Sequence, residues 1–560
     1  MSKTSAGNVP LNTLLYGDNL PMLRRHIPDS SVDLHYADPP FNSNRNYFVY
    51  LKDRGGKASE AQTAAFVDTW NWGEESEAWY RELQYDCPHQ ELAVTIVALR
   101  RILSETPMMA YLVAMAIRLR ELHRTLKPTG SLYLHCDPTA SHYLKIVLDV
   151  IFGPTNFRSE ITWKRTSAHN DAKQGRRAYG NITDTLLYYT KSSSYTFNTR
   201  HTAYDKEYIE SSYGNTDADG RRWKSSDLTG PGGASKGNPF YELLGVSRFW
   251  RYSQENMERL LSEGRIHQSK PGTVPRMKHY LDEMPGVALQ NLWDDIRPAS
   301  GRESLGYPTQ KPRALLERII EVSSNPGDIV CDSFCGCGTA VDAAQELGRS
   351  WIGIDITTVA VGIIRTRMEQ CHPELTGKIR VIGFPEDLEG ARTLFEQDPY
   401  SFQEWAATLI GAYPLRKNGV VKKGADSGID GWLPFYNFDD EPCRAVVQVK
   451  GGKVQVGQIR DFCHVVAREK AELGFFLCMG DEGRTVTRPM EIEALKEGQW
   501  QSAGGHCYPK VQILSVKDLL AGTKAPLLPQ QDKTSLLGFK ARKQTKASGQ
   551  MSAGDLLFTD

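Results

Sequence analysis

Two short segments carry residue sets suited to chemistry. The first is Asp38-Pro39-Pro40-Phe41. It follows Val32–Ala37, whose VDLHYA pattern predicts a buried strand. The prolines must end that strand, because proline cannot donate to a ladder. They stiffen the turn and leave the Asp38 and Pro39 carbonyls as acceptors. Asp38 adds a carboxylate and Phe41 a flat apolar face. A carboxylate and a backbone carbonyl can take both N–H bonds of an exocyclic amino group while its planar ring stacks on Phe41. Those bonds draw the amino nitrogen out of conjugation and free its lone pair for an electrophilic methyl group. A proline-stiffened turn with a capping aspartate has the same residues, so the tetrapeptide alone is only suggestive. The second segment is Asp332-Ser333-Phe334-Cys335-Gly336-Cys337-Gly338-Thr339, between an Ile329–Cys331 strand and a helix. Its glycines allow a sharp turn and close approach to a ligand. The next strand ends in Asp355, 23 positions after Asp332, where an acid can accept from both ribose hydroxyls. This series fits an adenosine-bearing cofactor. It lacks GxGxxG, which disfavours a dinucleotide. Cys331, Cys335 and Cys337 crowd one strand-to-turn segment and read as small packed side chains, not metal ligands.

The elements around these segments alternate strand and helix. Ser131–Asp137 reads as a strand entered through a Lys127-Pro128-Thr129-Gly130 turn. His142–Gly153 reads as an amphipathic helix ended by glycine. Leu99, Ile102, Leu103, Met109, Leu112, Ile117 and Leu119 recur at helical spacing from Thr95 to Leu126, with a break at Pro107. A helix follows from Thr357 to about Gln370. This order predicts an α/β layer with a parallel sheet. Between residues 192 and 290 the alternation fades into Gly, Ser, Tyr, Trp and Arg. Residues 385–399 read as a connector, and the tail after Leu528 as mobile.

Composition sets the limits. The chain has 560 residues, and about 150 per domain predicts several domains. Hydrophobic residues at 40% and charged residues at 24% fit a globular protein and exclude wholesale disorder. No apolar run approaches the roughly 20 residues that span a bilayer, and MSKTSAGNVP has no secretory apolar core. No membrane association is expected. The 10 cysteines form no CxxC pair, which predicts a reduced, cytoplasmic setting. With 67 basic and 67 acidic residues the net charge is zero, so nucleic-acid contact must rest on local patches.

The two segments together resemble the signature motifs of S-adenosylmethionine-dependent DNA amino-methyltransferases. The catalytic motif precedes the cofactor motif, as in the circularly permuted β-class. Tyr307-Pro308-Thr309-Gln310-Lys311-Pro312 and Gly17-Asp18 resemble further motifs of that class. The resemblance covers about Leu11 to Gln370 and implies a Rossmann-like fold. It implies catalysis by Asp38, Pro39, Pro40 and Phe41. Asp332, Phe334, Gly336 and Gly338 then surround the methionine end of S-adenosylmethionine. Lys311 stands near the cofactor carboxylate, Asp18 on the adenine side and Asp355 at the ribose. Phe41 stands where tyrosine is commoner, and stacking survives that change. Aspartate at 38 favours adenine N6, with cytosine N4 the alternative. Double-stranded DNA is the implied partner, and its base must be flipped out to reach such a pocket. Lys164, Arg165, Lys173, Arg176 and Arg177 form one basic stretch, opposed only by Asp171. Arg221-Arg222-Trp223-Lys224 forms another, inside the 192–290 insert where the class carries its target recognition domain. Both are expected to contact DNA.

A different constellation follows Phe402. Gly424–Gly431 leads into Trp432-Leu433-Pro434-Phe435, and a turn at 439–442 precedes RAVVQVK. Gln448 and Lys450, two apart, project from one strand face, and a hairpin would bring them beside Asp430. Such a set can hold Mg²⁺ through Asp430 and orient water for phosphodiester attack. This resembles Mrr-like PD-(D/E)xK restriction endonucleases over about Phe402 to Leu514, and Glu404 matches a helix acid of that family. The expected organisation is a methyltransferase domain (1–191 and 291–395), a recognition insert (192–290), a smaller α/β nuclease-like domain (396–522) and a tail (523–560). A combined methyltransferase and nuclease implies a restriction or defence protein, alone, as a homodimer or with partners. A solitary methyltransferase whose C-terminal part only binds DNA is the rival.

Overall fold

The computed structural model describes residues 9–40, 45–52, 58–68, 70–166, 177, 179–300, 303, 307, 309–414, 428–437, 442–480 and 486–529. Phe41, Pro308, Lys173 and Arg176 lie outside them. Nine strands form the larger sheet, in the order Leu292–Trp293, Phe157–Lys164, Thr183–Thr190, Leu126–Cys136, Val32–Ala37, Ile329–Asp332, Ser350–Asp355, Thr13–Tyr16 and Arg380–Ile382. Every neighbouring pair is parallel except those made by Thr183–Thr190. Val32–Ala37 is central and buried along its whole length. Leu34 and Tyr36 enter one helical layer and Ala37 the other. Burial on both faces is what parallel sheets require, and it extends to the polar Asp33 and His35 of this strand.

Pro107 does divide the predicted helical region. Gln90–Leu103 ends before it, and Pro107–Thr125 begins on it, with the Thr106 side chain capping Met109 N–H. Proline at the first helical position loses no bond the helix needs. The second helix is buried from Met109 to Leu119, as a helix apolar all round should be. Ile102 departs from the pattern, because it faces outward at 72% exposure. The Lys127–Gly130 turn proves to be an irregularity inside the strand Leu126–Cys136, where pairing jumps from Val32↔Leu126 to Leu34↔Ser131. Gly130 fits there because a Cβ would press on the Asp33 carbonyl.

The described residues divide into two compact units. The smaller is Thr199–Gln290. It has a four-stranded sheet in the order Ile266–His267, Arg276–Tyr280, Arg222–Asp227, Asn215–Thr216 and a small core of Leu228, Leu243, Trp250 and Met257. The larger unit holds the nine-stranded sheet and a second sheet. That second sheet runs Tyr413–Pro414, Gly431–Tyr436, Pro442–Lys450, Leu473–Cys478, Val511–Ser515, antiparallel at first and parallel from Pro442–Lys450 onward.

The expected connector at 385–399 is instead the helix Leu388–Gln397, followed at once by Pro399–Thr408. Asp387 and Asp398 cap them. Phe384 packs on Tyr16 at 4.6 Å between centroids and touches the cores of both sheets. No described helix is long and apolar enough to cross a membrane.

Candidate active site

Four adjacent parallel strands end on one edge of the large sheet. Val32–Ala37 leads to Asp38, Ile329–Asp332 ends in Asp332, Ser350–Asp355 in Asp355, and Thr13–Tyr16 leads to Gly17-Asp18. The register sets Tyr36 beside Asp332 and Tyr16 beside Asp355. Strands far apart in the sequence thus deliver their acids to one crevice, where open α/β sheets bind ligands. The crevice is a cavity of about 580 Å³. Every expected catalytic or cofactor residue that the structure describes lines it, except Gly338. Gly338 begins the helix Thr339–Glu346 at φ 78°, where a Cβ would meet Ile364 at 2.9 Å. It fits that helix to its neighbour.

The loop closes on its own acid. Asp355 Oδ2 accepts from Gly336 N–H at 2.8 Å, and Oδ1 accepts from the Thr357 N–H and hydroxyl at 2.9 and 3.0 Å. Asp332 Oδ1 accepts from Phe334 N–H at 3.1 Å. Burial, reinforced by Asp38 and Asp355, pushes the Asp332 carboxyl up to about 8. Asp38 ion-pairs through Oδ2 with Lys311. Its Oδ1 is buried and has no hydrogen-bond partner among the described residues. Lys311 was expected beside a cofactor carboxylate; in this structure its partner is Asp38. Cys331, Cys335 and Cys337 are buried free thiols. Among the described residues no three His, Cys, Asp or Glu side chains come together as a metal site.

Residues 32–365 match the DNA methylase family model. The chain belongs to the DNA methylase family. Residues 394–491 match the restriction endonuclease family model. The chain is 35% identical over 263 residues to the type II methyltransferase M.EcaI of Enterobacter cloacae, covering 46% of this chain and 57% of that one. It is 26% identical over 359 residues to the type III restriction-modification enzyme StyLTI Mod subunit of Salmonella typhimurium, covering 60% and 50%. It therefore spans little more than half the length of those two relatives. It is also 26% identical to the DNA adenine methyltransferase YhdJ of Escherichia coli, over 62% of this chain and 79% of that one. Among solved structures, the M1.HpyAVI–SAM complex matches at 16% identity and TM-score 0.30, covering 64% and 98%.

The cavity also contains residues the motifs did not reveal. Arg118 projects from the buried helix to Asp18 Oδ2 at 2.7 Å and Asn19 Oδ1 at 2.6 Å. Asn19 Nδ2 donates to the Ser333 carbonyl at 2.8 Å, which ties the N-terminal loop to the glycine loop. An arginine within so apolar a helix was the available signal. Trp70 and Ser401 line the cavity too, and Ser401 belongs to the segment expected to start the nuclease.

The basic stretches divide. Lys164 is exposed at the end of its strand, while Arg165 pairs with Asp184 at 3.2 Å. Arg177 is exposed. Arg221 and Arg222, expected at the DNA, have partners within the small unit. Arg221 pairs with Asp282 and Glu283 and lies over the Tyr280 ring at 3.8 Å. Arg222 donates to the Tyr213 and Ile209 carbonyls. Lys224 donates to the Tyr208 hydroxyl. These donors brace the small unit. Sequence shows the charge run but not the acceptors that fold back onto it.

In the second sheet the hairpin forms between Gly431–Tyr436 and Pro442–Lys450. Asp430 N–H donates to the Val447 carbonyl at 2.8 Å, and Asp430 Oδ2 accepts from Val449 N–H at 2.7 Å. The carboxylate therefore sits on the backbone between Gln448 and Lys450. Gln448 is buried. Glu404 is buried on the helix Pro399–Thr408 and accepts from the Thr358 hydroxyl at 3.4 Å, at the start of a methylase-body helix.

Proposed function

We propose that the protein transfers a methyl group from S-adenosylmethionine to the exocyclic amino group of a base flipped from double-stranded DNA, adenine N6 by preference. The observation that carries this reading is the Asp38 carboxylate, at a strand end, paired with Lys311 through one oxygen and with the other buried and unpartnered among the described residues. A buried acceptor left unpaired costs about 1–3 kcal/mol. An amino N–H donated to Oδ1 recovers that cost. Phe41, outside the described residues, would stack on the base. The cavity fits the cofactor: Asp355 suits the ribose hydroxyls, Asp332, Phe334 and Gly336 the methionine end, and Asp18 the adenine side. S-adenosylmethionine supplies the electrophilic methyl. Asp38 and the Pro39 carbonyl hold the amino group, and the stiff turn fixes their spacing. Adenine is supported by aspartate at position 38 and by the likeness to YhdJ. Labelled S-adenosylmethionine, DNA and base analysis of the product test the reading. N4-methylcytosine in place of N6-methyladenine would keep the mechanism and reverse the base.

Cofactor binding should release a proton. At pH 7 the buried Asp332 carboxyl, raised to about 8, holds its proton. The positive charge of a bound methionine group favours the carboxylate. Affinity should therefore rise with pH up to about 8 and level off above it. Calorimetry in two buffers of different ionisation enthalpy reads the release directly. Identical heats in both would remove Asp332 from the methionine end.

We further propose that the C-terminal region (396–522) beside the methyltransferase (1–191 and 291–395) and insert (192–290) is an endonuclease, making this a restriction-modification or defence protein. Asp430 and Gln448 offer hard oxygen donors, and these would hold Mg²⁺, which supplies positive charge at the phosphate. Lys450 would orient water and steady the developing charge. One observation favours the rival reading, a C-terminal unit that only binds DNA. Glu404 is engaged by the Thr358 hydroxyl of the larger sheet's helical layer.

A further inference from the structure

Lys311 is set in place before any substrate arrives. It precedes the helix Arg313–Ser323 in a short segment pinned by Tyr307, whose carbonyl accepts from Gln310 N–H at 3.2 Å. The Tyr307 ring is buried against the glycine loop, 3.4 Å from where a Gly336 Cβ would stand. The ammonium is thereby fixed relative to both the loop and Asp38. Its side chain is 10% exposed, against 13% for Asp38. Asp38, Asp332 and Asp355 all line this one cavity, and Lys311 is the cation that meets Asp38.

A carboxylate turns easily about its last bond, whose torsion is broad and two-fold. Unanchored, Asp38 could present either oxygen at a range of angles. We propose that Lys311 is a positioning residue for the target base, holding Asp38 Oδ2 so that Oδ1 is presented to the amino N–H, and not the holder of the cofactor carboxylate. This rests on the methyl-transfer reading above. It separates two roles of one residue by what each would change. A base-positioning lysine acts on the transfer step, whereas a cofactor-holding lysine acts on cofactor affinity.

The test uses the full chain with Lys311→Met and Lys311→Arg. Cofactor affinity is measured by calorimetry with S-adenosylmethionine, and transfer by single-turnover kinetics at saturating cofactor and DNA. Thermal unfolding monitors the fold. The expected result for Lys311→Met is a transfer rate lower by about 100-fold, the scale of a small misplacement of a reacting group, at nearly unchanged cofactor affinity. Lys311→Arg should restore much of the rate. Weakened cofactor affinity with an unchanged saturated rate would overturn the proposal in favour of the cofactor carboxylate. Loss of both, unrelieved by arginine and with a lowered melting point, would overturn it in favour of a purely structural role. Wild-type protein that binds cofactor yet methylates no DNA would sink the methyl-transfer reading, and this inference with it.

Discussion

Asp38→Ala is expected to abolish methyl transfer while S-adenosylmethionine still binds. Two losses add. The amino group loses its carboxylate acceptor; a single preorganised contact of this kind is worth about 10²–10³ in rate. Lys311 also loses the carboxylate it meets here. Cofactor contacts expected from Asp355, Phe334 and Gly336 do not involve the Asp38 side chain. Single-turnover assays with labelled cofactor, beside calorimetry, separate the two effects. Product formed at the wild-type rate would remove Asp38 from the mechanism. Asp38→Asn, which keeps the shape and one oxygen, should lie between the two.

The second large effect is expected in the hairpin. Asp430→Ala and Lys450→Ala should each eliminate Mg²⁺-dependent DNA cleavage, and cleavage should persist in Asp38→Ala. Asp430 brings the charged donor beside Gln448, and the neutral amide cannot replace it. Metal affinity should be modest, so activity should require Mg²⁺ in the millimolar range, a consequence of few anionic ligands. Methylation should survive both substitutions. Plasmid cleavage on methylated and unmethylated DNA, with and without Mg²⁺, gives the answer. If neither plasmid is cut, but DNA affinity falls when the C-terminal sheet is perturbed, the binding-module reading stands. If Asp430→Ala still cuts, the metal is held elsewhere.

How far these sites could be read from sequence varied with the range of the interaction. Asp38, Asp332 and Asp355 were legible because each follows a short apolar strand, and strand ends are where such sheets collect ligands. The hairpin was legible because alternation puts Gln448 and Lys450 on one face. Local signals failed where a distant partner decides. Nothing near Lys311 announces Asp38, which arrives from the far end of the chain. Nothing near Arg221 announces Asp282 and Glu283. Arg118 lies in a run so apolar that it reads as core, and only the fold shows that it reaches Asp18. The helix Leu388–Gln397 was missed because Pro385, the charged residues and Pro399 resemble a linker, although Leu388, Ala391, Leu394 and Phe395 recur at helical spacing and pack on the second core.

Phe384 bears on how the protein comes apart. A side chain that belongs to two cores makes each core part of the other's wall, and Tyr16 carries that wall to the rim of the cavity. The two large sheets should therefore melt in one calorimetric transition instead of two. A genetic exchange that replaced everything after residue 384 would not deliver an independent cassette. It would leave an aromatic seam unsealed beside Tyr16, and the incoming segment would have to supply its own closing helix.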